Sequence, residues 1–283
     1  MMILSSVIRF QCHANGWINV DGRHSFSLST FDPSGKLGQV DYAAEAAALG
    51  TPVAVIALPR QGVFLAAPQV LPSPLIHDDG TARFARVTSN LLVAHSGLSA
   101  DGRVLAEAAQ QMAVQHEYTY DELIPVDIFL EELSLLFQEY TMKPGSRPFG
   151  CTLIIAHLPT LDNSGGDSSY PMLYRIDPSG AVSSLENYGV VNGNKLQTDD
   201  TLLNELKDLA ENPPASPDQI RAQLATTLKD ALLRQSSDKR QQGLAKSKEV
   251  SVPKNLRRML VSSIYRGEGM VMGSYDLHSR KSQ

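Results

Sequence analysis

The stretch that decides the fold is Ser25 to Gly50, SFSLSTFDPSGKLGQVDYAAEAAALG. Within it, Asp32-Pro33-Ser34-Gly35 is typical of a tight turn, because proline presets φ and glycine tolerates positive φ. The residues after the turn predict a helix that Gly50 can terminate, with small and apolar side chains at three- and four-residue spacing. That face consists of Leu37, Val40, Ala44, Ala47 and Ala48. Such a face suits close packing against another surface, although an ordinary core-covering helix has the same spacing.

Short apolar runs beyond this helix predict strands. They span residues 53–58, 62–67, 84–87, 91–95, 151–157, 172–176 and 259–264. Amphipathic helices are predicted from Ser99, from Pro125 and from Ser216, whereas Pro213-Pro214 and residues 235–242 are predicted to be loops. Strands, two helices, strands, then helix and strand fit two sheets packed face to face with helices outside, an α+β sandwich.

The composition is typical of a globular protein and does not indicate binding to polyanions. Its 283 residues are 42% hydrophobic and carry a net charge of −5, so we expect no nucleic acid and no membrane among its partners. The basic residues between Arg234 and Arg258 are interpreted first as a solvated loop, and second as a nuclear-import or docking patch. Cys12 and Cys151 are too few for a disulfide framework, which favours a reducing compartment.

Several segments identify a family when they are taken in order. TFDPSGKLGQVDYA, at residues 30–43, resembles the N-terminal signature of proteasome alpha-type subunits. The segments SGLSADGRVL, IPVD, QEYT, RPFG and DPSGA then follow in the family's order and approximate spacing. Within the family, HSFSLSTFDPSGKLGQVDYA, QEYTMKPGSRPFG and YGVVNGNKLQ resemble the type-2 alpha subunits most. The resemblance implies a four-layer α-β-β-α sandwich of the N-terminal nucleophile hydrolase type.

That fold raises the hypothesis of a threonine protease. Such a protease needs a threonine with a free α-amine, together with a lysine and a carboxylate. Thr51 is the only threonine near the position where catalytic subunits begin, but a predicted helix precedes it, and the expected acidic residue is Pro68. Because no lysine lies between Lys36 and Lys143, we expect no catalytic residues. An active threonine hydrolase and a ring-free binding module are the two alternatives.

Other candidate sites are weak in the sequence. Ser99 is interpreted as a helix cap rather than a nucleophile. His77-Asp78-Asp79 is interpreted as a solvated turn rather than a metal site, and His95 and His157 as core or rim histidines. No phosphate loop, dinucleotide fingerprint or zinc spacing is present in the sequence, so we expect no cofactor and no metal.

The resemblance implies a structural and gating role in the proteasome core, and with it ubiquitin-dependent protein degradation. Its implied partners are other alpha subunits in a seven-membered ring, beta-ring subunits, and the regulatory particle or other activators. The implied gate residues are His24, Ser25, Phe26, Pro33 and Tyr42. The implied activator pocket consists of Gly50, Gln69 and Leu98, and the ring interface of Leu37, Val40, Ala44 and Ala47.

Three of these positions depart from the family pattern. His24 stands where the family usually has a tyrosine, and Ser25 stands where sister subunits commonly have an aspartate. Gln69 stands where a lysine would pair with the activator's terminal carboxylate. We predict an N-terminal extension at residues 1–24, the subunit domain at 25–265 with a basic linker at 233–258, and a divergent tail at 266–283. Cytoplasm and nucleus are the expected locations.

Overall fold

The computed structural model describes residues 31–32, 35–59, 61–70, 83–143, 145–159, 170–192, 196, 199–242, 256–265 and 269–276. The helices are α1 Gly38–Ala48, α2 Ser99–Tyr120, α3 Val126–Met142, α4 Asp200–Glu211 and α5 Pro217–Gln242. The strands are β1 Val53–Leu58, β2 Gly62–Val70, β3 Phe84–Arg86, β4 Leu91–Gly97, β5 Cys151–His157, β6 Met172–Ile176, β7 Val182–Ser184, β8 Tyr188–Val191, β9 Leu256–Tyr265 and β10 Gly269–Asp276.

Within the described residues, the strands form two antiparallel five-stranded sheets. The first sheet has the order β10-β9-β2-β1-β8, and the second has the order β3-β4-β5-β6-β7. The predicted strands at 53–58, 151–157 and 172–176 are confirmed with the same bounds. Adjacent hairpins account for the first four strands, since β1 pairs with β2 and β3 pairs with β4.

Strand β1 shows how the sequence produces four layers. All six of its residues are buried. Ala54, Ile56 and Leu58 pack in the core that the first sheet shares with α4 and α5, while Val53 and Val55 pack between the two sheets. A continuous apolar run is what a strand covered on both faces requires, because successive side chains point to opposite sides. The predicted α-β-β-α sandwich is therefore confirmed.

The outer helix pairs close the sandwich. Helices α2 and α3 cover the second sheet through a core that includes Leu105, Phe129 and Phe137. Helices α4 and α5 cover the first sheet, and Arg234 of α5 donates to Glu205 of α4 at 2.7 Å. Helix α1 stands apart from both pairs and packs on β4 and β5.

The turn that precedes α1 agrees with the sequence, but the buried face of α1 does not. The Gly35 amide donates to the Asp32 carbonyl at 2.9 Å, and Gly35 has φ +82°, which is the left-handed conformation that glycine permits. The buried residues of α1 are Ala43 and Ala47, so the face predicted to include Ala44 is rotated. Five of the six residues from Ala43 to Ala48 are alanine and carry little periodicity, so contacts with β4 and β5 select the buried face.

The C-terminal third contains the main corrections. Residues 235–242 were expected to be a loop, yet α5 continues to Gln242, because Lys, Arg and Gln are good helix formers and neither proline nor glycine intervenes. The expected tail from residue 266 contains β10, which pairs with β9 from Gly269↔Tyr265 to Asp276↔Arg258. Of the predicted basic linker, residues 233–242 belong to α5 and residues 256–258 to β9. The segments 1–30 and 243–255 lie outside the described residues.

Candidate functional site

Three glycines from separate segments meet where β4 ends and α2 begins. A Cβ added to Gly50 would lie 2.4 Å from the Gly97 backbone nitrogen, and a Cβ added to Gly97 would lie 2.5 Å from the Gly150 carbonyl oxygen. Gly97 also has φ +122°, a conformation that other residues rarely adopt. The backbone after α1, the end of β4 and the start of β5 can approach this closely only because no side chain separates them. We call this contact of Gly50, Gly97 and Gly150 the glycine junction.

An ion pair holds the glycine junction from the α2 side. The buried Asp101 carboxylate accepts from Arg147 Nη1 at 2.6 Å, from Arg147 Nη2 at 2.8 Å and from the Gly150 amide at 2.9 Å. This bidentate geometry is the strong form of an arginine–carboxylate contact. The hydrogen bonds from Arg147 hold the pKa of Asp101 below its ordinary value and outweigh the opposing effect of burial. Asp101 lies in the first turn of α2, where a negative charge is also favoured by the helix dipole.

The structure brings two of the three expected pocket residues together. Leu98 directly follows Gly97, and a Cβ added to Gly150 would lie 2.7 Å from Leu98 Cδ1, so the Leu98 side chain packs against Gly150 of the glycine junction, to which Gly50 also belongs. Its side chain is 46% exposed and is available to a partner. Gln69 lies on the other sheet, half-buried near the end of β2, where it pairs in register with Arg258 of β9.

The gate residues are only partly visible in the described chain. Tyr42 lies on α1 and is 38% exposed. Phe31, immediately before the turn, is 67% exposed. His24, Ser25, Phe26 and Pro33 lie outside the described residues, and their assignment stays a prediction.

The four expected ring-interface residues divide into two groups. Leu37 precedes α1, Val40 is half-buried on its first turn, and Ala44 is exposed. Ala47 is 1% exposed in the single chain and packs inside its own domain, so its assignment to a ring contact is wrong. Ala48 and Leu49 are exposed instead, and Leu49 is a large apolar side chain with 69% exposure.

Thr51 lies inside an unbroken backbone between α1 and β1. Its carbonyl accepts from the Ser96 hydroxyl at 2.6 Å, which fixes the chain at this point. Its own buried Oγ1 has no hydrogen-bond partner among the described residues, so no described group is positioned to take its proton. Pro68, at the expected acid position, is buried in β2 and registers with Met259. Among the described residues, Thr51 therefore has neither a free α-amine nor a neighbouring base.

The remaining nucleophilic and titratable candidates are structural. Burial raises the pKa of the Cys151 thiol to about 12, so the thiol is neutral at physiological pH. His95 is a core residue that packs against Gly102 of α2, and His157 is a half-buried rim residue 3.5 Å from the Asn90 amide nitrogen. Burial also lowers the pKa of His157. Ser99 is the first helical residue of α2 and makes no capping bond, so its expected role as helix cap is wrong.

Two further classes of site are absent from the described part of the chain. No described helix combines the length and apolar character needed to cross a membrane. The described residues also contain no group of three potential metal ligands. His77-Asp78-Asp79 lies outside them.

Sequence reasoning identified the right segments but missed how they meet. SGLSADGRVL supplies Gly97 and Asp101, and RPFG supplies Arg147 and Gly150. Most of α2 and all of α3 separate these two segments in the sequence, but the segments are in contact in the fold. The sequence does contain a signal for this contact, because Asp101 and Arg147 carry opposite charges and lie in glycine-containing segments. No local sequence pattern, however, predicts that these two residues pair.

Comparison with known proteins gives a single family. The family model described as "Proteasome subunit" matches residues 48–241. The proteasome subunit alpha type-2 of Oryza sativa subsp. indica is 38% identical over 165 residues, which is 58% of this chain and 66% of the rice protein. The Drosophila melanogaster proteasome subunit alpha type-2 is 39% identical over 160 residues, which is 56% of this chain and 64% of the relative.

The Arabidopsis thaliana proteasome subunit alpha type-2-A is 38% identical over 165 residues, covering 58% of this chain and 66% of the relative. The matched part of the chain thus spans slightly less than two thirds of these relatives' own length. The expected resemblance to alpha-type subunits, and to type 2 among them, is confirmed. Because the family model covers more than half of the sequence, the chain belongs to the proteasome subunit family.

Proposed function

We propose that this chain is a non-catalytic structural and gating subunit of the proteasome core alpha ring. In this role it contributes to ubiquitin-dependent protein degradation through ring assembly, control of substrate access and activator docking. Its partners are other alpha subunits in a seven-membered ring, beta-ring subunits, and a regulatory particle or another activator. Cytoplasm and nucleus are the proposed locations.

The observation that carries this proposal is the unbroken helix ahead of Thr51. Helix α1 ends at Ala48, and Gly50 closes against Gly97, so the Thr51 nitrogen is a peptide amide within the described backbone. An amide nitrogen cannot serve as the base that an N-terminal nucleophile requires. The chain therefore keeps the family fold without an N-terminal nucleophile at Thr51, and its proposed function depends on the contacts that its surface makes with other subunits.

The surface around α1 has the composition of a subunit contact. Phe31, Leu49 and Leu98 are large apolar side chains with 67%, 69% and 46% exposure, and Tyr42 adds an exposed ring. Apolar side chains grouped near one helix are typical of protein interfaces rather than of solvent-facing surface. Leu37, Val40 and Ala44 belong to this proposed contact, whereas Ala47 does not.

Co-assembly is the direct test of the proposed role. The tagged full chain, expressed in its native cells, is expected to purify with core-particle subunits, and native mass spectrometry should find it in a closed ring complex. A matched variant, Leu49→Glu, places a charge on the exposed end of α1 and should reduce incorporation without unfolding the chain. A stable monomer under native conditions would reject the ring role and favour the ring-free binding module.

The pocket assignment has its own test, since Gln69 replaces a lysine of the family. Gln69→Lys is expected to strengthen binding of an activator C-terminal peptide to the assembled complex by about tenfold, because a charge-assisted bond to a carboxylate contributes roughly 1.5–3 kcal/mol. Fluorescence anisotropy with a labelled peptide measures the affinity. A peptide ending in an amide is the control, because it lacks the carboxylate. Equal affinities of wild type and variant for the free-acid peptide would reject the pocket.

A further inference from the structure

The outer strand of the second sheet, β7, is fully exposed. Its residues Val182, Ser183 and Ser184 are all exposed, and among the described residues β7 pairs only with β6. Native proteins cover such an edge or place charges, proline or a bulge on it, because free backbone groups can pair with another strand. Between Ala181 and Leu185 the sequence has no charge and no proline, and the β6–β7 register is continuous. Apart from its short length, β7 is an unprotected edge.

The hydrogen bonds between β6 and β7 show which backbone groups of β7 are free of the sheet. The Leu185 amide donates to the Leu173 carbonyl at 2.8 Å, so these two residues form a hydrogen-bonded pair. Bonded and non-bonded pairs alternate along an antiparallel ladder, and therefore Ser183 bonds to β6, whereas Val182 and Ser184 do not. The N–H and C=O groups of Val182 and Ser184 point away from β6. An added strand requires this arrangement.

Exposed apolar side chains lie beside these backbone groups. Val182 and Met172 are each 42% exposed, and Tyr170 is 56% exposed. Val182 pairs in register with Ile176, and Met172 lies four residues before Ile176 on β6, so Val182 and Met172 share one face of the sheet. We call the side chains of Tyr170, Met172 and Val182, together with the outward backbone groups of Val182 and Ser184, the edge site.

The opposite edge of the same sheet is less open. Phe84 of β3 is buried and Ala85 is half-buried. The third residue of β3, Arg86, is exposed and places a charge on that edge. A charged side chain on an edge disfavours the addition of an apolar strand. Of the two edges of the second sheet, β7 is therefore the better acceptor.

We propose that residues 3–11 of this chain, ILSSVIRFQ, add a strand to the second sheet at the edge site. These residues lie outside the described part of the chain. Their sequence contains Ile, Val and Phe without proline or glycine, which is typical of strands. Leu4, Ile8 and Phe10 fall on one face of such a strand, since alternate residues share a face. That face would cover Met172 and Val182.

The length of the intervening chain permits this contact. The described chain before α1 begins at Phe31, and α1 packs on β4 and β5 of the same sheet. Strands β5 and β7 are separated by two strand spacings, which is about 10 Å. Residues 12–30 can span roughly 60 Å when extended. The segment can therefore reach β7 from the start of α1, and no second chain is needed to supply the strand.

Strand addition would hold the chain on both sides of the predicted gate residues. His24, Ser25 and Phe26 lie between the proposed strand and α1. A segment closed at both ends has fewer conformations than a free tail, so release of the strand from the edge site would be coupled to movement of the gate. This consequence rests on the proposed gating role, whereas strand addition itself does not.

Hydrogen exchange of the full chain tests the proposed strand. The comparison protein, which we call the replaced chain, has glycine and serine in place of residues 3–11 and keeps its length. In the replaced chain the Val182 and Ser184 amides are expected to exchange at least about tenfold faster, because they lose their hydrogen bonds. The Ser183 amide bonds to β6 in both proteins and should change by less than about twofold. Mass spectrometry with electron-transfer fragmentation resolves the single amides. Equal exchange of Val182 and Ser184 in the two proteins would overturn the proposal.

Proline at an outward position gives a second measurement. Ser184→Pro removes an N–H that β6 does not use, so the β6–β7 pair is expected to remain. In the full chain the Val182 amide should then exchange at least about fivefold faster, because the added strand is weakened. Ser184→Ala is the matched control, since it loses the same hydroxyl and keeps the N–H, and it should change exchange by less than about twofold.

The same proline in the replaced chain completes a double-mutant cycle. There it is expected to add no further acceleration at Val182, because the strand is already absent. An acceleration as large as that in the full chain would show a local effect of proline and reject the edge site.

A second copy of this chain is the other candidate occupant of the edge site. If it pairs there, Val182 and Ser184 will stay protected in the replaced chain and lose that protection on dilution, and this result would also overturn the proposal. None of these measurements depends on assembly into a ring. Their failure would therefore leave the proposed ring role intact, and a chain that purifies as a monomer would leave the proposed strand intact.

Discussion

Gly97→Ala is expected to leave the chain largely unfolded, with a loss of more than about 4 kcal/mol in the free energy of unfolding. The new methyl group would lie 2.5 Å from the Gly150 carbonyl oxygen and 2.7 Å from the Cys151 Cα, which are backbone atoms just before and at the start of the central strand β5. The φ of +122° adds backbone strain of its own. Strands β4 and β5 cannot move apart here without breaking the hydrogen bonds that pair them.

Gly145→Ala is the matched control for Gly97→Ala. Gly145 has φ +81°, but a Cβ there would meet nothing within 4 Å. We expect a loss of only about 1–2 kcal/mol, which is the cost of the left-handed conformation alone. Urea denaturation followed by circular dichroism measures both variants. Equal losses in the two would show that the glycine junction is not tightly packed.

Gly50→Ala separates the steric contact from the conformational strain. Its methyl group would lie 2.4 Å from the Gly97 nitrogen and 2.5 Å from the Gly97 Cα. It is expected to destabilise the chain by more than Gly145→Ala does. If Gly97→Ala cannot be purified, this variant carries the same test.

Asp101→Asn is the second large expected effect, with a loss of about 2–4 kcal/mol at neutral pH. An asparagine has one acceptor oxygen and cannot accept from both Arg147 nitrogens and from the buried Gly150 amide, so the bidentate contact with the exposed Arg147 is lost and the hold on Gly150 is weakened. Glu139→Gln is the control, because Glu139 is 58% exposed and lies 3.4 Å from Lys143, whereas the Asp101 side chain is 9% exposed. Exposed pairs of this kind contribute at most about 1 kcal/mol. Similar losses in the two variants would contradict the buried role of Asp101.

The same ion pair predicts how stability depends on pH. Arg147 keeps the pKa of Asp101 in the folded chain below its ordinary value of 3.8, so the unfolded chain takes up the proton first as the pH falls. The contribution of Asp101 is complete above that ordinary value and is lost as the pH falls through the lower, folded-state value. The difference in the free energy of unfolding between wild type and Asp101→Asn should therefore shrink in acid. A constant difference between neutral and acidic pH would contradict this assignment.

Most elements that depend on interactions between residues close in sequence could be predicted, whereas elements that depend on contacts with distant strands could not. The hairpin of β1 and β2, the strands β5 and β6, and the starts of α2, α3 and α5 follow from local periodicity and turn residues. Helix α4 was missed although it has a signal, since Asp199 caps it and Leu202, Leu206 and Leu209 are buried at helical spacing. Strand β7 has no such signal, because its three exposed residues are held only by the ladder to β6.

The candidate surfaces were less predictable than the fold. The sequence indicated Leu98 and Gly50 through a family resemblance, and the structure brings them together at the glycine junction. It did not indicate which apolar side chains of α2 and α3 are exposed, because a buried and an exposed apolar residue look alike in a helical pattern until the packed face is known. Leu133 and Leu135 illustrate this, since the first is fully buried and the second is 55% exposed.

The segment from Ser25 to Gly50 shows the same division within one element. Its sequence alone determined the turn at Asp32 and Gly35 and the helix after it, since hydrogen bonds over three or four residues depend on local chemistry. The tertiary structure alone decided that Ala47 faces inward, that Leu49 faces outward, and that Gly50 meets Gly97. These outcomes depend on contacts with β4 and β5, which lie far along the chain and leave no periodic trace in the helix itself.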